Sequence, residues 1–384
     1  MIEFRPFAHL SYVNQLRARL TQPLTSSLSD SSAAPLNVAQ LLSLDSNAQQ
    51  QLHNLNLGYA SMQGSQLLRQ AIIQLHQGHC VQTQLKPDLV ATFSGVQEAL
   101  FTCFNALLQP NDEIIAFTPN YPSLTALPQQ LGAKVQTIDL QFDNAWQFDV
   151  DQLRQLINPR TRVIVVNFPH NPTGAMISSS QAKQIIELAN LHGLYILADE
   201  VSIFSNVNNQ MISYPWLDYP KSISFSVMSK SFGLAGIRVG WAISQDQTLI
   251  ERMLQIKGYL SICGSASDEV LATTAINCKE QILNRNNQII SDNINAVDKL
   301  ITNSHGQLKW HRPSAGIMTI VQTNLSIDVN QLAEKLAFNH QTLMLPGNLF
   351  GIKGDFFRLG LGGLEVTKNV ENLVSLIANT YSIN

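Results

Sequence analysis

Charge is scarce: Asp, Glu, Lys and Arg make up 13% of the 384 residues, and they nearly balance, at a formal net charge of −3. No basic stripe is available to neutralise a phosphate backbone, which excludes nucleic acid as the expected partner. Long hydrophobic runs are missing too. No stretch reaches the roughly 18 to 20 apolar residues that a membrane helix needs, so no membrane association is expected. The opening "MIEFRPFAHLSYV" has an acid and lacks both a long apolar core and a small-residue cleavage site, so it does not read as a secretory signal. Cysteine is rare. Cys80, Cys103, Cys263 and Cys278 stand apart with no CxxC spacing, which argues against a metal site or a disulfide framework and fits a reducing, cytoplasmic setting.

What is present is a globular composition, 45% hydrophobic with charges in every region, and a length that suits about two domains. Small molecules are the expected partners. The stretch "TQPLTSSLSDSSAAPL" (Thr21 to Leu36) is rich in Ser, Pro and Ala without a period and reads as an extended arm. From Val90 to Gln245, short β-branched runs alternate with helical patterns: "VATFSG", "EIIAFTP", "KVQTIDL", "RVIVVNFP", "YILADEV", "SISFSVMS" and "VGWAISQ". That alternation predicts an α/β fold on a largely parallel sheet. Beyond about Asp246 a long helical segment is expected, running through "ERMLQIKGYL" and past "DNINAVDKL". Strands "GIMTIVQT" and "FFRLGLG" then mix with helices in a smaller α+β domain. The boundaries expected are 1–45 for the arm and part of the small domain, 46–280 for the large domain, and 281–384 for the small one.

In open α/β sheets, ligands bind beyond the carboxyl ends of the strands. Polar residues recur there: Asn167 and Asn171 after "RVIVV", Asp199 at the end of "YILAD", and Lys230 after "SISFSVMS". Singly, each has an ordinary explanation as a turn, a cap or a solvated lysine. Together they suit one cofactor. Pyridoxal phosphate needs a lysine amine to condense with its aldehyde, an acid to keep its ring nitrogen protonated, and a phosphate cup. Lys230, Asp199 and the pair Ser229 and Arg238 supply these, Arg238 as a permanently charged fork. Gly233, Gly236 and Gly240 are expected to let backbone pass close by.

With these motifs in this order, the sequence resembles the class I/II aminotransferases, the fold type I pyridoxal-phosphate enzymes, over nearly its full length. The resemblance implies a large domain on a mostly parallel seven-stranded sheet, a smaller α+β domain, and catalytic roles for Lys230, Asp199 and Tyr121. Ser94, Gly95 and Val96 in "SGVQEAL" match the phosphate loop, at a helix start suited to an anion. Tyr121 matches the aromatic that stacks on the cofactor ring, and Asn171 the ligand of the ring oxygen. Arg358 in "FFRLGLG" matches the clamp on the substrate α-carboxylate. Tyr59 matches the tyrosine that reaches the phosphate of a neighbouring subunit, which implies a homodimer with shared active sites.

Two positions depart from the family pattern. Val227 stands where a hydroxyl residue is common, which leaves one phosphate contact to Ser226 or Ser229. Ser202, in "ADEVSIF", replaces the tyrosine that hydrogen-bonds the ring oxygen. Val227 also disfavours a hydrolytic Ser-Lys pair, because S-x-x-K spacing would need serine there. A regulatory role would need an appended DNA-binding helix pair, and only a short arm precedes the core. The stretches "VVNFPHNPTG", "IKGYLSICGSASDEV" and "LMLPGNLFG" resemble a branch of the family that includes capreomycidine synthase, a cyclase of hydroxylated arginine in specialised metabolism, beside ordinary aminotransferases. That likeness implies cyclodehydration of a hydroxylated arginine, with plain amino exchange as the alternative. A guanidinium would need an acid near it; Asp30, Asp268 and Glu269 are the candidates, and Ser202 lies on the substrate side.

Overall fold

Each of the seven β-branched runs becomes a strand of one sheet. In the computed structural model, which describes residues 6–77, 83–207, 212–325 and 328–380, a short arm strand β1 (Ser26–Ser27) comes first. Cys80 lies outside the described residues. The sheet follows: β2 (Val90–Phe93), β3 (Glu113–Thr118), β4 (Lys134–Asp139), β5 (Thr161–Asn167), β6 (Tyr195–Asp199), β7 (Ser222–Val227) and β8 (Gly240–Ile243). Their spatial order is β2-β8-β7-β6-β5-β3-β4. Only β8 runs antiparallel to its neighbours; the other pairs are parallel.

Strands β2, β7 and β8 are buried at every residue, β7 despite its alternating Ser222, Ser224 and Ser226. The edge strand β4 instead exposes Lys134 and Asp139, charges that discourage pairing with another protein's strand. Successive residues face opposite ways. Ile114, Val163, Leu197 and Phe225 pack with Phe104, Leu249 and Met253 on one face, while Ile115, Ile164 and Ile196 pack with Ile185, Leu188 and Trp216 on the other. With both faces covered, the open ground for a ligand is at the strand ends.

The second sheet is antiparallel, ordered β12-β13-β10-β9, from β9 (Leu308–Trp310), β10 (Met318–Thr323), β12 (Leu345–Pro346) and β13 (Phe356–Gly360). Its core joins Ile317, Val321 and Leu359 to Ile290, Ile294, Leu332, Leu336 and Leu373 from three helices. The long helical segment expected after Asp246 is three helices, Gln247–Lys257, Ala266–Asn277 and Lys279–Thr302. The break falls between Gly258 and Gly264, where Ile262 adopts a left-handed φ of 64° that no helix can contain. Helix Lys279–Thr302 runs straight through position 280: Ile282 packs in the first core cluster, Ile290 and Ile294 in the second. Among the described residues no helix is long and apolar enough to cross a membrane.

The arm does not hang free. Strand β1 pairs in parallel with β11 (Thr342–Leu343), Leu28 is fully buried, and the Gly360 N–H donates to the Leu28 carbonyl at 2.7 Å. The arm lies so close to β13 that a Cβ on Gly360 would stand 1.8 Å from the Asp30 carbonyl oxygen. We expect Gly360→Ala to push the arm off, costing about 2 kcal/mol of stability and raising KM with cofactor still bound. Denaturant unfolding and steady-state kinetics check both; an unchanged KM would show that the arm does not matter to the site.

Candidate active site

Strands β5 and β6 run parallel and end level at Asn167 and Asp199, and parallel β7 continues from Phe225 opposite them to Val227, so the polar residues after the three strands meet. Asn167, at the end of β5, ties the group together. Its Nδ2 donates to the Asp199 carbonyl at 2.8 Å, and its Oδ1 accepts the Asn171 N–H at 2.9 Å. Asp199 is buried, and burial raises its carboxyl to about 6 against the opposing pull of the Val201 N–H and Lys230. Lys230 follows β7, and its Nζ donates to Ser31 Oγ of the arm at 2.6 Å. Burial first, then the Arg358 charge, lower its amine to about 8, with Asp199 and Asp30 pulling the other way.

Arg358 projects from β13. It is buried, its Nη2 donates to the Ser29 carbonyl at 2.7 Å, and its Cζ lies 4.6 Å from the Phe350 ring centroid. Burial brings it to about 10, so it stays a cation at neutral pH. The arm thus touches both cations: Ser29 holds Arg358 and Ser31 holds Lys230. Ser29 Oγ is fixed in turn, donating to the Arg358 carbonyl and accepting the Leu345 N–H.

At the other end, helix Val96–Leu107 begins at Gly95 (φ 84°), a residue with nothing to cap it, so its first N–H groups have no partner within the helix. Arg238 sits beside it in the left-handed region (φ 50°). A Cβ on Gly95 would come within 2.5 Å of Arg238 Nη2, and one on Gly240 within 2.7 Å of the Val96 nitrogen. Glycine at these two places lets the guanidinium and the helix start share one cup. The Ser94 N–H is taken up by Glu98 Oε2 at 2.6 Å. Two expectations need correction here. Gly233 makes room for the arm at Ala33 and Ala34 rather than for the cup, and Gly236 has open space around it. Ser226 is sealed inside the sheet with its Oγ unpartnered among the described residues, which leaves the partly exposed Ser229 as the hydroxyl facing outward.

Tyr121 packs near the same ground, its ring centroid 6.1 Å from that of His9 and 6.0 Å from that of Phe7; burial raises its phenol. Ser202 is buried in the turn after β6. Asp30 is exposed on the arm, yet its charge is felt by both Lys230 and Arg358. The other two acids do not join them. Glu269 is buried and accepts the Ser65 N–H at 2.8 Å and Thr92 Oγ1 at 3.4 Å, a structural anchor for the start of helix Gln66–His76. Asp268 sits in the first turn of helix Ala266–Asn277, where a carboxylate complements the helix dipole. Tyr59 is 90% exposed and meets nothing at the site of its own subunit.

Asn171 Oδ1 and Arg358 Nε are buried without hydrogen-bond partners among the described residues. Buried orphan polar atoms beside a carboxylic acid, a depressed lysine and an uncapped helix start fit a ligand with a ring oxygen, a ring nitrogen, an aldehyde and a phosphate, together with a substrate carboxylate. Pyridoxal phosphate is such a ligand. Several of the residues involved are not legible in the sequence. Asn167 stands out there without a role, and Ser29, Ser31, His9 and Phe350 carry no motif, because what places them is contact across the fold.

The family model for aminotransferase class I and II matches residues 30–377. Capreomycidine synthase of Streptomyces vinaceus is 30% identical over 272 residues, 71% of this protein and 69% of that one. Arginine–pyruvate transaminase AruH of Pseudomonas aeruginosa is 27% identical over 312 residues, 80% of this protein and 78% of that one. A PLP-dependent aminotransferase structure from Streptococcus suis superposes with a TM-score of 0.87 at 26% identity over 100% of both. The PLP-dependent cyclase OrfR superposes with a TM-score of 0.87 at 22% identity over 98% of both, a likeness of fold alone. The match over nearly the whole length, with a site shaped for the same cofactor, makes this protein a member of the class I and II aminotransferase family, a pyridoxal 5'-phosphate enzyme of fold type I.

Proposed function

We propose that the enzyme acts at Cα of a basic L-amino acid and closes a hydroxylated arginine into a cyclic guanidino amino acid, with loss of one water. The observation that carries this is the position of Asp30. It is an exposed carboxylate on an arm whose neighbouring residues hold the lysine and the carboxylate-binding arginine, and its field reaches both. A guanidinium at the far end of the substrate would find its counter-charge there. The likeness to capreomycidine synthase supports the same reading.

In this scheme Lys230, Asp199, Asn171, Tyr121, Ser229, Arg238 and the Ser94–Val96 loop hold the cofactor. When bound, pyridoxal phosphate takes the substrate amino group covalently and draws electron density from Cα. Asp199 keeps the ring nitrogen protonated, and that cation relieves the burial that raises its own carboxyl. Arg358, braced by the Ser29 carbonyl, offers its remaining N–H groups to the substrate carboxylate. Lys230, with its amine near 8, is neutral often enough at pH 7 to take the Cα proton and later return it. The bond from carbon to the substrate hydroxyl breaks, a guanidine nitrogen bonds to the carbon that lost it, and substrate equals product plus water. Ser202, too short to span the distance of a phenol, leaves the ring oxygen to Asn171.

Hydroxyarginine incubated with holoenzyme and no keto acid should yield a cyclic product lighter by one water, read by mass spectrometry. A strict need for a keto acid, with release of a keto product, would overturn the cyclase reading in favour of amino exchange. The likeness to an arginine–pyruvate transaminase over 80% of the sequence favours that second reading.

A homodimer belongs to the same proposal. Tyr59 and Tyr259 are 90% and 93% exposed, and Leu57, Leu260 and Ile262 beside them are exposed as well. The two loops adjoin, since Lys257 Nζ donates to the Met62 carbonyl at 2.6 Å. Apolar surface of this kind marks an interface. Tyr259→Asp with Leu260→Asp should give monomers by analytical ultracentrifugation and a roughly tenfold or greater loss of cofactor affinity; an unchanged sedimentation coefficient would remove the patch from consideration.

A further inference from the structure

His9 is one of only two buried residues on helix Ala8–Arg19; the other is Leu16. Its ring lies 5.8 Å from Phe7 and 5.8 Å from Phe350, stacked on both, and 6.1 Å from Tyr121. A phenylalanine or leucine would fill this aromatic niche without difficulty. The imidazole instead brings Nδ1 into it, buried and without a hydrogen-bond partner among the described residues. An orphaned ring nitrogen works against stability, so packing alone gives no reason for a histidine here.

The charged and titratable groups around it are Arg358 from β13, Lys230 from the loop after β7 and Tyr121 from the loop after β3. Burial, then Arg358, then Lys230 hold its pKa down to about 4, so at neutral pH the ring is uncharged and keeps a lone pair. Beyond Arg358 and Lys230, which in the proposed scheme engage the α-carboxylate and the cofactor, no further cation stands among these groups to receive a distal carboxylate of the substrate.

We propose that His9 is a specificity-determining residue, whose neutral imidazole accepts a hydrogen bond from a hydroxyl or N–H on the substrate side chain. The site thereby favours donor-bearing substrates over dicarboxylic amino acids. This rests on the assignment of Arg358 as the anchor for the substrate α-carboxylate, which fixes the end of the substrate from which the side chain extends.

The test uses holoenzyme and two probes that have no Cα hydrogen to lose: 5-hydroxy-2-methylnorvaline and 2-methylnorleucine, equal in length, the first ending in hydroxyl and the second in methyl. Calorimetry on the wild type should show the hydroxyl probe bound more tightly. His9→Phe should shrink that preference about tenfold or more while leaving the affinity for the methyl probe within about threefold, and His9→Gln, which keeps an acceptor, should restore part of it. The 15N shift of the wild-type His9 ring should move with the hydroxyl probe and not with the methyl one. An undiminished preference in His9→Phe, or a ring shift that ignores the hydroxyl, overturns the proposal; the ring shift decides alone if the Phe variant does not fold. Arg358→Ala tells the two ideas apart. If it binds both probes as the wild type does, the anchor assignment has failed; if it loses both while His9→Phe keeps the preference, only the histidine proposal has.

Discussion

Lys230→Ala is expected to lower kcat/KM by about 10^4-fold or more and to abolish or shift the absorbance of the bound cofactor near the visible edge. The size of the effect follows from the absence of a substitute. A buried lysine near the phosphate end, Lys257, is fully engaged: its Nζ donates to the Met62 and Thr92 carbonyls at 2.6 and 2.7 Å and lies 5.4 Å from the Phe93 ring centroid. It cannot swing to the strand ends without abandoning a buried charge. The fold should survive, because the backbone bond from Ala33 N–H to the residue 230 carbonyl is independent of the lysine amine. Activity within tenfold of wild type, measured on protein with a normal unfolding curve, would show that Lys230 does not handle the proton.

Asp199→Asn should reduce kcat by about 10^2 to 10^3-fold with KM nearly unchanged, since an amide of the same shape cannot hold a proton on the ring nitrogen. The Asn167 amide bonds the backbone carbonyl of residue 199, so that link persists. The same carboxyl governs pH dependence in the cofactor-free protein. Its folded value of about 6 lies above the usual 3.8, so between these values the folded state keeps a proton that the unfolded state has lost. The contribution of Asp199 to stability therefore falls as pH rises from about 4 to 6, by about 3 kcal/mol, while His9 and His170, which burial lowers to about 4 and about 3, contribute in the opposite direction below pH 6.5. Glu200, pushed up to about 8 by burial, extends the fall toward pH 8. Lys230, depressed from 10.5 to about 8, acts oppositely, and stability returns as pH climbs above 8. Denaturant titrations of the cofactor-free protein should show wild type losing stability relative to Asp199→Asn as pH rises from about 4 to 6, a difference that cofactor loading relieves. A difference that does not change with pH would mean that Asp199 is not held in a dry site.

The strands of the main sheet were legible in the sequence because central strands such as β3 and β5 are largely apolar, and β-branched runs such as "RVIVVN" have few other homes. Lys230, Asp199 and Asn171 were legible because their order along the sequence follows the strand ends that carry them, and Arg358, in the middle of β13, only through the family resemblance of "FFRLGLG". The break at Ile262 was hidden, since helical periodicity continues on both sides of it. Glu269 looked like a free acid because nothing local reveals that Ser65 and Thr92 lie against it. Ser226 and Ser229 could be told apart only by which way the strand turns each hydroxyl. Asn167 needed the register between β5 and β6 to acquire its role. In each case the missing information was a contact between distant parts of the sequence.

The arm has a consequence for how the protein comes to life. Ser31 meets a lysine 199 positions downstream, and Ser29 meets an arginine 329 positions downstream. A segment made before the central sheet is thus among the last to find its place, because β11 and β13 must exist before it can dock. Until then the base and the carboxylate anchor have no common support. Competence for turnover is a terminal event of folding, and a nascent polypeptide with a finished central sheet is still an inactive one.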